Sequence, residues 1–112
     1  MSDELPEFEV SSGNIFADLG LPDADELLAR AKLMSGVTRL IKERGLTQAQ
    51  AAKVLGTNQP TVSDLIRGKF NKFSLERLIG FATALGQDVE ISVRPRPVDS
   101  EGPTLSVVGE MR

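Results

Sequence analysis

Residues 47–69 read as two short helices joined by a tight turn, and no other stretch restricts the fold as strongly. Thr47 can cap the first helix and Gly56 can end it, while Asn58 can cap the second helix and Gly68 follows its last residue. Between these end signals, small or apolar residues recur at helical spacing. The residues expected to face the core are Ala51, Ala52, Leu55, Val62, Leu65 and Ile66. The segment therefore predicts two closely packed helices.

The outward face of the second helix is polar. Pro60 lies in its first turn, where the missing N–H has no helical partner to lose. The side chains on this face can donate and accept hydrogen bonds at the edges of bases. These candidate base-reading residues are Gln59, Thr61, Ser63, Asp64 and Arg67. The pattern predicts a helix-turn-helix whose second helix enters the major groove of DNA.

Two residues of this face have alternative roles. Arg67 could contact guanine or, near the helix end, a phosphate. Asp64 could accept a hydrogen bond from a cytosine amine, or it could pair with Arg67 or Lys69 and hold their orientation. We favour the pairing for Asp64 and leave both roles of Arg67 open.

Acidic and basic residues are segregated along the chain. The net charge of -3 by itself argues against a nucleic-acid partner. Residues 1–29, however, contain eight acidic residues and no Lys or Arg, whereas residues 30–96 contain twelve basic residues and five acidic ones. Scattered charges usually form solvated faces. Because the basic block contains the two-helix segment, the distribution instead favours double-stranded DNA as a partner.

Missing residue types exclude several chemistries. The chain has no Cys and no His, so disulfides, thiolate nucleophiles, imidazole bases and Cys/His zinc sites are excluded. No glycine-rich phosphate loop or nucleophile motif occurs, and we expect neither an enzyme nor a cofactor. No apolar run approaches the ~20 residues of a membrane span, and the acidic start does not resemble a secretion signal. The expected location is therefore the cytoplasm, with no membrane partner.

Further helices are expected on both sides of the two-helix segment. Apolar residues at three- and four-residue steps predict a long helix over residues 23–44. Ser74 caps another helix, which Gly86 ends. A short helix is expected at residues 14–19.

Residues 88–94 alternate between polar and apolar side chains, which predicts a half-buried β-strand. Val89, Ile91 and Val93 would form its apolar face. A single strand leaves backbone groups unpaired and needs a partner. That partner is either residues 104–108 or the same strand of a second chain about a two-fold axis. We favour the second chain and assign these three residues to a dimer strand.

The two-helix segment also carries a family resemblance. Its sequence TQAQAAKVLGTNQPTVSDLIRGK resembles the phage-repressor-type helix-turn-helix of the XRE class. Residues 14–20 and the block FSLERL at 73–78 resemble Hig-type antitoxins, which are small XRE repressors encoded beside a toxin. The resemblance implies dimerisation. With the elements predicted above, the expected fold is mainly α: a five-helix phage-repressor-type helix-turn-helix domain with one C-terminal β-strand, paired across a homodimer. Two recognition helices would then lie about 34 Å apart, one turn of duplex.

The resemblance also implies which residues contact the DNA backbone. The positions that match phosphate-contacting positions of the family are Gln48, Asn58, Lys69, Asn71 and Lys72. Pro60 departs from the family pattern, because related proteins place a hydrogen-bonding side chain there. Base reading is therefore expected to shift to the other residues of the same helix face.

Three parts of the chain are expected to have different roles. Residues 1–22 form an acidic arm with a short helix, residues 23–95 form the DNA-binding domain with its dimerisation strand, and residues 96–112 form a flexible tail. Hig-type toxins are small basic ribonucleases, so the resemblance implies that the arm or the first helices cover such a toxin and block its RNA-binding surface. The candidate toxin-binding residues are Phe8, Ile15, Phe16 and Leu19. The alternative role of the arm is that of a solubilising segment.

The predicted function is that of an antitoxin. Such a protein binds DNA sequence-specifically, represses its own operon and neutralises a ribonuclease toxin by direct binding. The alternative is a stand-alone XRE-type transcriptional repressor without a toxin partner.

Overall fold

A computed structural model describes residues 23–99 and 105–112. These residues form four α-helices, which are α1 (Ala24–Glu43), α2 (Gln48–Leu55), α3 (Gln59–Ile66) and α4 (Leu75–Ala84), and one 3-10 helix at Phe70–Lys72. The predicted long helix, both helices of the two-helix segment and the helix after Ser74 are confirmed. The short helix predicted at residues 14–19 lies outside the described residues.

Side-chain caps fix the ends of α2 and α3. The Thr47 hydroxyl accepts the Gln50 N–H at 3.1 Å, and the Gln50 side chain accepts the Thr47 N–H at 2.8 Å. This reciprocal pair is a capping box, of which the sequence analysis predicted only the Thr47 half. Asn58 Oδ1 accepts the Thr61 N–H at 2.8 Å and caps α3 as predicted. Gly56 adopts φ 71 at the end of α2, a left-handed conformation that lets the chain turn directly into α3.

The hydrophobic core lies where α1 packs against α4 and α2 packs against α3. All the residues predicted to face inward on α2 and α3 are buried except Ile66, which is partly buried. Phe73 and Phe81 are also buried, with their rings edge to face and their centroids 6.1 Å apart. Arg44 donates from Nη2 to the Leu85 carbonyl at 2.8 Å, so the end of α1 is tied to the end of α4.

The predicted fold class, five helices with a C-terminal β-strand, is wrong. The described residues contain four α-helices and no strand, and residues 87–97 follow α4 as irregular backbone. The side chains of Ile91 and Val93 are 77% and 91% exposed, and Val89 is also exposed. Alternating side chains show only which residues could share a face, whereas a strand also needs a neighbouring backbone to pair with. Within residues 23–99 and 105–112, no backbone pairs with residues 88–94.

The C-terminal residues 105–112 lie against the helices. Val107, which belongs to the predicted intrachain partner of the strand, packs on the helical core instead, and so does Met111. Arg39 donates from Nη2 to the Met111 carbonyl at 2.6 Å. Gln87 holds the last residue through its side chain, which accepts the Arg112 N–H at 3.0 Å. The sequence predicted a flexible tail over residues 96–112 and indicated none of these contacts.

Candidate nucleic-acid interface

Helix α3 presents a polar face on the outside of the domain. Val62 and Leu65 point into the core. The helical period therefore places Pro60, Asp64 and Arg67 on the opposite side. Gln59, Pro60 and Arg67 are exposed, whereas Thr61, Ser63 and Asp64 are half-buried. Four of the five candidate base-reading residues therefore lie on α3, and the fifth, Arg67, is the residue that follows its last turn.

Asp64 is held between two lysines rather than left free. Its Oδ1 lies 3.4 Å from the Lys69 ammonium and its Oδ2 lies 3.4 Å from the Lys72 ammonium. Partial burial raises the pKa of the Asp64 carboxyl, but hydrogen bonds and charge interactions with Lys72 and Lys69 outweigh this effect and leave the pKa below its ordinary value. This geometry supports the pairing role that we favoured for Asp64, with Lys72 as a partner that the sequence analysis did not predict.

The residues predicted to contact phosphates lie at helix ends and in the loop after α3. Gln48 is the first residue of α2, and Asn58 is the residue that caps α3. Because the Asn58 oxygen accepts the Thr61 N–H, its amide NH₂ is the group left to donate to an anion. Asn71 and Lys72 are exposed in the 3-10 helix, directly after Lys69.

Arg77 lies beside the turn between α2 and α3, and the sequence analysis did not single it out. Its Nη2 lies 3.3 Å from the Thr57 hydroxyl. Its guanidinium carbon lies 5.5 Å from the ring centre of Phe73 and 5.4 Å from that of Phe81. Arg77 and Phe81 are four residues apart within α4 and therefore share a helix face, which was a usable signal. Phe73 precedes the Ser74 cap in extended backbone, so the sequence did not indicate its contact with Arg77.

Two negative findings apply to the part of the chain that the structure describes. In residues 23–99 and 105–112, no group of three or more Asp or Glu side chains is arranged to hold a metal ion. No helix in the same ranges is both long and apolar enough to cross a bilayer.

Comparisons with known proteins also find a helix-turn-helix domain in this chain. A family model described as a helix-turn-helix domain matches residues 15–94, a range that includes α1 to α4. A solved structure described as "Putative XRE Family Transcriptional Regulator" is 42% identical to this chain and superposes with a TM-score of 0.72, and the match covers 79% of this chain and 99% of that one. The chain belongs to the XRE class of helix-turn-helix proteins. No curated protein matches it.

The comparisons confirm the predicted resemblance to the XRE class. The matched range contains the capped turn, α3 and Arg77, so the whole candidate interface lies within the family domain. The finer resemblance to Hig-type antitoxins finds no support in these comparisons and stays a prediction.

Proposed function

We propose that this XRE-type protein is a transcriptional repressor that binds double-stranded DNA sequence-specifically. The observation that carries the proposal is the arrangement of α3. Its N-terminus is capped by Asn58, its inner side is fixed by Val62 and Leu65, and its polar outer side is flanked by Lys69 and Lys72. A helix that is rigid, polar outward and bordered by cations suits entry into a major groove between two phosphate backbones.

We assign different roles to the residues of this interface. Asp64 positions Lys69 and Lys72, and its oxygens are therefore occupied. The residues proposed to read bases are Gln59, Thr61, Ser63 and Arg67. The residues proposed to contact phosphates are Gln48, Asn58, Lys69, Asn71 and Lys72. Exposed Gln59 at the start of α3 has the best access to base edges, because the N-terminal residues of a recognition helix lie deepest in the groove.

We further propose that the repressor acts as a homodimer on two half-sites. One helix of eight residues can contact only a few base pairs, so a second copy is needed for a longer recognition sequence. Val89, Ile91 and Val93 are exposed apolar side chains that a second copy could cover. We keep the division into an arm (1–22), a DNA-binding domain (23–95) and a tail (96–112) as part of this proposal.

Titration of a fluorescently labelled duplex from the region upstream of the gene tests the proposal. We expect binding that is tighter than to a shuffled duplex of the same length. If about six phosphates are neutralised per dimer, the log–log salt slope is near -5. Gln59→Ala should reduce the preference for the upstream duplex but keep the slope, whereas Lys69→Gln should reduce the slope and weaken binding to both duplexes equally. Equal affinity for both duplexes would refute sequence-specific binding.

A narrower proposal is that the repressor is also an antitoxin that neutralises a basic ribonuclease. Its support is the resemblance of residues 14–20 and 73–78 to Hig-type antitoxins, together with the eight acidic residues and no basic ones in residues 1–29. An acidic arm with apolar anchors is suited to binding a basic protein. Phe8, Ile15, Phe16 and Leu19 are the proposed contacts.

Co-expression with the product of the adjacent gene separates the antitoxin from the stand-alone repressor. If the protein is an antitoxin, the two products should purify together, and Phe16→Asp should weaken the complex while Val98→Asp, at an exposed site far along the chain, should not. Absence of any complex between the two products would favour the stand-alone repressor.

A further inference from the structure

We propose that Arg77 and Thr57 form a second phosphate-binding site, which holds a phosphodiester of the DNA backbone at the turn between α2 and α3. This inference rests on the proposed DNA binding. It concerns two residues outside the recognition helix and outside the loop that follows it.

The aromatic rings fix the guanidinium of Arg77 without neutralising it. Phe73 and Phe81 lie at 5.5 Å and 5.4 Å from the guanidinium carbon, which is within the range of a cation–π contact. Both rings are buried and edge to face, so they are themselves held in place. Among the ion pairs of residues 23–99 and 105–112, none involves Arg77. The side chain is thus oriented in advance and keeps its positive charge available.

The hydrogen-bond donors of this site match the oxygens of a phosphate. A guanidinium carries five N–H donors in a planar fork, and two of these match two oxygens of a phosphate. Arg77 Nη2 already donates to Thr57 Oγ1, which leaves the hydroxyl proton of Thr57 free to donate to the same anion. The Thr57 backbone is fixed as well, because its N–H donates to the Ala52 carbonyl at 2.9 Å.

The position of the site favours the DNA backbone over a free anion. Thr57 directly precedes Asn58, which caps the recognition helix and is itself a proposed phosphate contact. When the start of a recognition helix lies in the major groove, the residues just before it face the bordering strand. Arg77 is exposed and reaches this point from α4, so it would fix the angle of α3 in the groove from the side opposite its C-terminal lysines.

The test is a salt-dependent titration of the full chain with the labelled upstream duplex, from about 50 mM to about 300 mM KCl. Removal of one phosphate contact per protomer lowers the log–log slope by about 0.9 for each protomer bound. We expect this change for Arg77→Gln, with a loss of affinity of about tenfold. Arg77→Lys keeps the charge and should keep the slope, but it should lose several-fold in affinity because an ammonium cannot donate in a fork.

Two further variants separate a phosphate contact from a general effect of charge or folding. Arg96→Gln removes a positive charge from an exposed residue of the irregular segment, outside the proposed DNA-binding domain, and should leave the slope nearly unchanged. Thr57→Val removes the hydroxyl but keeps the shape and the net charge, so it should weaken binding a few-fold with an unchanged slope. The thermal midpoint of each variant, measured by circular dichroism, reports any loss of folding.

The outcomes distinguish this inference from the proposed function. If the wild-type protein fails to bind duplex DNA even at the lowest salt, the proposed function fails and the site fails with it. If the wild-type protein binds and Arg77→Gln has the same slope and affinity, the second phosphate site is refuted and the repressor stands. An equal change of slope in Arg96→Gln would also refute the site. If Arg77→Gln does not fold, the other two variants decide the question. The second phosphate site is then refuted if Arg77→Lys and Thr57→Val both bind DNA with wild-type affinity.

Discussion

Replacement of Gly36 by alanine should show whether the C-terminal segment is held on α1. Gly36 is buried in the middle of α1, and a Cβ added there would lie 2.7 Å from Met111 Sδ and 3.0 Å from Met111 Cε. Both atoms belong to the end of an unbranched side chain, which can move away. The cost of the substitution is therefore limited to the loss of the contacts made by Met111.

Two effects of similar size oppose each other at this position. Alanine in place of glycine inside a helix stabilises by about 0.8–1.0 kcal/mol. Met111 is partly buried against the core, and full burial of such a side chain contributes about 1.5–3 kcal/mol, so its displacement should cost about 1 kcal/mol. Gly36→Ala should therefore leave the free energy of unfolding nearly unchanged. In a Met111→Ala background, where Met111 Sδ, Cε and Cγ are all missing, the same substitution should stabilise by about 1 kcal/mol.

The coupling between Gly36 and Met111 is measured by urea denaturation, followed by far-UV circular dichroism. The four proteins compared are the wild type, Gly36→Ala, Met111→Ala and the double variant. Gly80→Ala is the matched control, because Gly80 also lies inside a helix but a Cβ added there would meet nothing within 4 Å. That control should stabilise equally in both backgrounds. A coupling between Gly36 and Met111 below about 0.3 kcal/mol would show that Met111 does not occupy this position in solution.

Three further predictions concern local contacts. Thr47→Ala should lower the free energy of unfolding by about 1 kcal/mol, because α2 loses its capping box, and urea denaturation measures the loss; no loss would show that the caps contribute nothing. Arg44→Ala should cost about 1 kcal/mol, because the Leu85 carbonyl loses its donor, whereas Arg67→Ala at the exposed end of α3 should change stability by less than about 0.5 kcal/mol; equal effects would exclude a role of the Arg44 contact. The lowered pKa of Asp64 means that its ion pairs stabilise the fold above the ordinary pKa of 3.8 and lose this effect as the pH falls through the lower folded-state value. The stability difference between wild type and Asp64→Asn should therefore shrink in acid, and a constant difference would argue against these ion pairs.

The helices and their ends could be predicted from the sequence because their causes are local. Thr47, Asn58 and Ser74 each cap a helix through the N–H of a residue three positions later, and Gly56 ends α2 one residue after its last turn. Such signals need no knowledge of the rest of the chain. The polar face of α3 followed from the same helical period.

The features that could not be predicted depend on how the chain folds back on itself, and no single helix or turn carries a signal for them. The alternation at residues 88–94 gave no information on whether a second backbone lies beside it, and the strand prediction failed for that reason. Gly36 and Met111 are 75 positions apart, and nothing in either segment indicates the other. Lys72 approaches Asp64 only because the 3-10 helix returns the chain towards α3.

Selection of binding sites from a random-sequence duplex library tests most directly whether the outer face of α3 reads bases. The full-length protein is incubated with the library at low salt, and the bound duplexes are sequenced after several rounds. We predict enrichment of a two-fold symmetric site with half-sites about 10 base pairs apart. Gln59→Ala should relax the preference at one position of each half-site and leave the others unchanged. Failure of the wild-type protein to enrich any sequence, or the same site for Gln59→Ala, would contradict base reading by α3.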